Sequence, residues 1–159
     1  MSRIAAALLS FVAAGALAAC SQETVERQDP AAPPAPAPVL AGVDLTQPVR
    51  ALGTEPFWGL DIASTGLVYS GVDRPEQRAD NAGPVIQGTS ASWSATTDAG
   101  AELKVDLFAT ECSDGMSDRV YPLTARVEIG GETLAGCAAA TSAIMSAGET
   151  GAVVETPAG

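Results

Sequence analysis

The chain has 159 residues and a formal charge of −11, from 19 acidic against 8 basic side chains, with no histidine and three cysteines. The acidic balance disfavours nucleic acid and anionic lipid surfaces as partners. The lack of histidine removes His-based triads, together with the commonest general acid–base group and the commonest metal ligand.

Residues 1–19 have the layout of a targeting segment. Arg3 supplies a positive start, and residues 4–17 are almost wholly apolar. That run is too short to span a bilayer, which takes ~20 apolar residues, and no later stretch qualifies. The segment ends in Leu17-Ala18-Ala19-Cys20, which resembles the bacterial lipobox. An ordinary signal-peptide cut after Ala19 would favour small residues one and three places before it, and Leu17 fits that pattern poorly. The resemblance implies cleavage before Cys20, lipid on its thiol and acylation of the new amine, so the chain is anchored to a membrane through its N-terminal lipid. Ser21 follows the cysteine in place of an aspartate. By resemblance to Gram-negative sorting, this favours the outer membrane, facing the periplasm.

Residues 20–48 read as the lipid anchor and a Pro/Ala-rich linker. The run from Pro30 to Pro38 holds repeated prolines, which remove backbone donors and forbid a helix. An extended spacer at ~3.1 Å per residue is expected. Residues 141–159 are small and acidic with no sustained apolar period, which predicts a disordered tail. A single domain over residues 49–140 remains, small enough for a disulfide staple to matter.

Strand signals dominate this domain. A hairpin is expected from residues 57–62 to 67–72 through Ala63-Ser64-Thr65-Gly66, followed by a polar loop over residues 74–83 and a short strand at residues 85–87. Ala91, Trp93 and Ala95 alternate with serines, and Leu103, Val105 and Leu107 alternate with Lys104, Asp106 and Phe108. This period of two predicts strands with one wet face, joined at Asp98-Ala99-Gly100. Leu123, Ala125, Val127 and Ile129 repeat the pattern, and Gly130-Gly131 suits a hairpin turn. If Ile129 pairs with Glu132, Leu134 falls opposite Val127 on the apolar face and Cys137 opposite Thr124 on the other. The fold class expected is all-β: a small antiparallel meander of six to eight strands with one disulfide. Closure removes exposed edges, so a closed or nearly closed barrel is preferred to a sandwich.

An odd cysteine count in an exported chain needs an explanation. With Cys20 lipidated, Cys112 and Cys137 remain in an oxidising compartment, where a disulfide between them is worth ~2–4 kcal/mol. Paired cysteines leave no thiolate nucleophile or thiolate metal site. There is no phosphate-cradling glycine loop and no EF-hand spacing. No metal, cofactor or enzymatic activity is therefore expected. Carboxylate-based glycoside hydrolysis is the least favoured reading, kept because acidic residues abound.

Two segments depart from ordinary β composition: Gly53-Thr54-Glu55-Pro56-Phe57-Trp58, and residues 111–122, from Glu111-Cys112-Ser113-Asp114 to Tyr121-Pro122, with Gly136-Cys137 following. Together they resemble a family of uncharacterised bacterial envelope lipoproteins with a G-x-E-P-F-W motif, a C-x-D-x-M-S-x-x-x-Y-P segment and a closing G-C. The resemblance covers residues 51–139 and implies an envelope role without a specified ligand. Phe57 and Trp58 are expected as core aromatics. Glu55, Asp114, Ser117, Arg119 and Tyr121 are the candidate binding residues, lining a barrel mouth stiffened by the disulfide. The function expected is non-enzymatic binding or envelope maintenance by a lipid-anchored lipoprotein. The alternative is inhibition of a cationic cell-wall hydrolase of lysozyme type, since the charge suits a cationic envelope protein or cell-wall component.

Overall fold

Alternating small-apolar and polar side chains make the strands, as the period of two requires. The computed structural model describes residues 36–72 and 74–155. The targeting segment, Cys20 and the linker up to residue 35 lie outside the described residues, as do residues 156–159. In chain order come β1 (Val39–Leu40), β2 (Val43–Asp44), β3 (Val49–Thr54), β4 (Phe57–Ala63), β5 (Gly66–Gly71), β6 (Gln77–Ala79) and β7 (Val85–Gln87). Then follow β8 (Ser90–Thr96), β9 (Glu102–Phe108), β10 (Asp118–Val120), β11 (Leu123–Ile129), β12 (Glu132–Ala140), α1 (Thr141–Ser146) and β13 (Thr150–Ala152).

Nine strands form one antiparallel sheet in the order β6-β5-β4-β3-β12-β11-β9-β8-β7. The sheet curls into a half-barrel, so the all-β architecture is as expected while closure is only partial. Its concave face carries Val49, Leu60, Ile62, Leu67, Trp93, Val105, Leu123 and Val127, all buried. The predicted registers hold: Ile129 faces Glu132, Val127 faces Leu134 and Thr124 faces Cys137. In the β8–β9 hairpin, Trp93 faces Val105.

The open seam has a simple origin. Its two edge strands, β6 and β7, are consecutive in the chain and are joined by residues 80–84, where Pro84 has no N–H to continue a ladder. Bonds between β6 and the residues just after β8 partly replace the missing ladder. The Thr97 hydroxyl donates to the Gln77 side-chain oxygen at 2.8 Å, with both residues buried. The Asp98 amide donates to the Arg78 carbonyl at 2.7 Å, and the Arg78 amide donates to the Asp98 carboxylate at 3.0 Å.

Both flanks of the expected domain need correction. Residues 39–45, assigned to the linker, form the β1–β2 hairpin, turned at Ala41 and Gly42 with φ of 48° and 82°. Leu40, Val43 and Leu45 are buried, so this stretch carries enough apolar surface to join the core. Residues 141–155, expected as disordered tail, are ordered. Ala143 of α1 is buried, β13 pairs in parallel with β10, and Val153 is fully buried with its amide donated to the Val120 carbonyl at 2.8 Å. The expected loop at residues 74–83 contains β6, three residues long.

Candidate functional site

The disulfide loop is built on the convex face of the sheet. Cys137 stands between Thr124 of β11 and Leu52 of β3, three residues from inward-facing Leu134, and so points outward. Cys112 reaches it across a Cα–Cα distance of 5.4 Å, within disulfide range. A second tie closes the loop at its base: the Cys112 amide donates to the Tyr121 carbonyl at 3.0 Å, and the Tyr121 amide returns to the Cys112 carbonyl at 2.8 Å.

Asp114 organises what lies between. One carboxylate oxygen accepts the amides of Met116 (3.0 Å) and Ser117 (2.8 Å), the turn chemistry that a short acidic side chain favours. The other accepts the Ser117 hydroxyl at 2.8 Å and the Tyr121 hydroxyl at 3.1 Å. Burial pushes the Asp114 carboxyl up, but these four donors outweigh it and hold the group below its ordinary value. Burial pushes the Tyr121 phenol up; Arg119 opposes the rise and the Asp114 charge adds to it. Thr54 then docks the loop onto the β3–β4 turn, its hydroxyl donating to the Asp114 carbonyl at 3.0 Å.

Asp114, Ser117 and Tyr121 thus form one hydrogen-bonded cluster. Tyr121, expected at a binding mouth, is 1% exposed and serves as a clamp. Arg119, beside the Tyr121 hydroxyl, also reaches beyond the cluster: its Nε donates to the Gly148 carbonyl at 2.7 Å, and its guanidinium lies 3.8 Å from Glu149. It holds the C-terminal segment. Glu55 is exposed in the β3–β4 turn, where the Glu55–Pro56 peptide is cis.

Between the loop and that turn lies a groove of about 520 Å³. Leu52, Gly53, Thr54, Glu55, the disulfide, residues 113–116, Thr124, Ala135 and Gly136 line it. Two of the five candidates, Glu55 and Asp114, belong to it. The sequence reading missed Thr54 and Met116, the latter 68% exposed; Thr54 lay beside Glu55 in the motif, but only the fold reveals its bond to the loop.

The two aromatics divide. Trp58 is buried on the concave face, as expected, whereas Phe57 is 54% exposed. Consecutive residues of a strand point to opposite faces, so both rings could not enter one core. The Trp58 indole crosses Gly53 and Gly136, where a Cβ would meet ring atoms. Trp58 Nε1 is buried without a hydrogen-bond partner.

Charge around the groove is one-sided. Arg50, Arg74, Arg78, Lys104, Arg119 and Arg126 each lie within ion-pair distance of a carboxylate. Among the described residues, several carboxylates have no such partner, among them Glu55 and Asp114 in the groove lining and Glu111 and Asp118 in the disulfide loop. No group of three or more His, Cys, Asp or Glu side chains there is placed to hold a metal ion. Comparison with protein-family models, curated proteins and solved structures finds no match.

Proposed function

We propose that this chain is a lipid-anchored cell-envelope protein whose β domain binds a partner, without catalysis, in the groove between the disulfide loop and the β3–β4 turn. The observation that carries this reading is how the groove wall is set. The disulfide, the Cys112–Tyr121 bridge and the Asp114 cluster hold it on a rigid sheet, while Glu55 and Met116 are left exposed. Pre-ordered walls lower the entropy lost on binding. The anchor rests on Leu17-Ala18-Ala19-Cys20, and Ser21 favours the outer membrane, periplasmic side. The motifs around Trp58 and Cys112 support membership of the envelope-lipoprotein family they resemble.

Two measurements test this. Mass spectrometry of the mature N-terminus should find acyl chains on Cys20; an unmodified cysteine in the native host would remove the anchor. The full mature chain, used as bait in envelope extract, should retain a partner that Met116→Asp with Glu55→Lys releases. Equal capture by both baits would move binding elsewhere.

A second reading, inhibition of a cationic cell-wall hydrolase, is favoured by the paired bases and the unpaired Glu55, Glu111 and Asp118. It predicts that the purified chain slows cell-wall lysis by a lysozyme-type enzyme, and that added salt weakens the effect.

A further inference from the structure

The groove contains an unfinished strand edge. β12 pairs with β11 along Glu132–Ala138, but with β3 only from Cys137 to Ala140. Over residues 132–136 its second edge therefore has no neighbouring strand. The split begins at Gly53 and Gly136, both in the groove lining. The Ala135 carbonyl is turned to that side, 2.7 Å from where a Cβ on Gly53 would stand. Trp58 Nε1, like Trp93 Nε1 a buried donor without a partner among the described residues, lies against the same Gly53 from the concave side. An open edge is a ready template for an added chain, and proteins usually cover or charge such edges. Here Thr133 and Ala135 on the outer face of β12 are exposed and uncharged.

We propose that an extended segment of a basic protein adds to β12 as a strand in this groove, with a cationic side chain on Glu55. The proposal rests on the groove being the binding surface and specifies how a partner is held there. Main-chain bonds to the open edge would supply affinity, and side-chain contacts the selectivity. Charge selects the occupant. Glu55 has no ion partner among the described residues, and Arg126, opposite Ala135 across the ladder, is held by Glu128 at 2.7 Å. Met116 and Leu52 offer apolar contact between the polar groups.

The probe is a fluorescent synthetic peptide of alternating arginine and valine, roughly five to ten residues long at ~3.3 Å per residue, titrated against the full mature chain. It should bind, shift the Trp58 indole N–H resonance and lose about 10-fold in affinity when alternate backbone amides are N-methylated. Glu55→Gln should weaken it several-fold, while Glu102→Gln, on β9 outside the groove, should not. A glutamate–valine peptide should not bind. Equal affinity of methylated and unmethylated peptides, or indifference to Glu55→Gln, would overturn strand addition. If the peptide fails to bind while the envelope-extract capture still depends on Glu55 and Met116, strand addition falls and the groove reading stands. If that capture also fails, both fall.

Discussion

Trp58 and Gly53 face each other across the β3–β4 ladder, and the indole lies over the glycine. Its six-membered ring reaches on to Gly136, where a Cβ would stand 2.8 Å from Cζ2. The first glycine of the G-x-E-P-F-W motif and the glycine of the closing G-C therefore make room for one ring. Gly53→Ala and Gly136→Ala should each cost about 1–3 kcal/mol through overpacking, and Trp58→Ala about 3–5 kcal/mol. In the double mutant with Trp58→Ala, the cost of Gly53→Ala should shrink. That of Gly136→Ala should persist more fully, because its Cβ would meet the Leu52 carbonyl oxygen more closely than a Cβ on Gly53 would meet the Ala135 carbonyl, at 2.7 Å. Urea denaturation of the single and double mutants checks this; additive costs at Gly53 would refute it.

The Asp114 cluster predicts a pH window for loop stability. Asp114 is held below its ordinary carboxyl value, so its contribution is full above that range and is lost as pH falls through the lowered value. Tyr121 is raised above 10.0, so its contribution is full below that pH and is lost as pH rises through the raised value. Tyr121→Phe should cost about 1 kcal/mol and abolish the alkaline limb. Asp114→Asn should flatten the acid limb. Amide exchange at Met116 and Ser117 across pH is the readout.

Cys112→Ser with Cys137→Ser should destabilise the domain by about 2–4 kcal/mol. The loop has two further ties, the Cys112–Tyr121 backbone bridge and the Thr54 bond to the Asp114 carbonyl. Exchange protection at the Tyr121 amide should therefore survive in the folded fraction. Its loss at full folding would show that the disulfide alone holds the wall.

Arg119 and Val153 predict that the C-terminal segment is part of the folded unit. Val153→Ala should cost on the order of 1–3 kcal/mol. Arg119→Ala should raise protease cutting near Gly148 and leave β8 and β9 protected. Wild-type cleavage rates for both variants in limited proteolysis would contradict the clasp.

Much of the sheet was legible because its alternation is strong. The β8–β9 and β11–β12 hairpins follow from Trp93, Leu103, Val105 and Val127, and the Thr124–Cys137 pairing follows from the Gly130-Gly131 turn. β3 was hidden because Ala51 and Gly53 make a faint apolar face. β13 was hidden because its pairing with β10 is non-local, and no period of its own announces it. Within the candidate site, Asp114, Ser117 and Tyr121 were found as residues, but their role depends on which way a ring points. Tyr121 lies on the buried side of its bridge to Cys112, and composition cannot show that.

The sheet also pairs Val49 with Ala140, its third strand with its twelfth. A ribosome releases these partners far apart in time, and the partner of β10, residues 150–152, emerges later than β12 does. Until β12 emerges, that flank of β3 has only its hairpin partner β4. Such high contact order slows folding, and a chain stalled before residues 150–152 would offer proteases an unlatched loop.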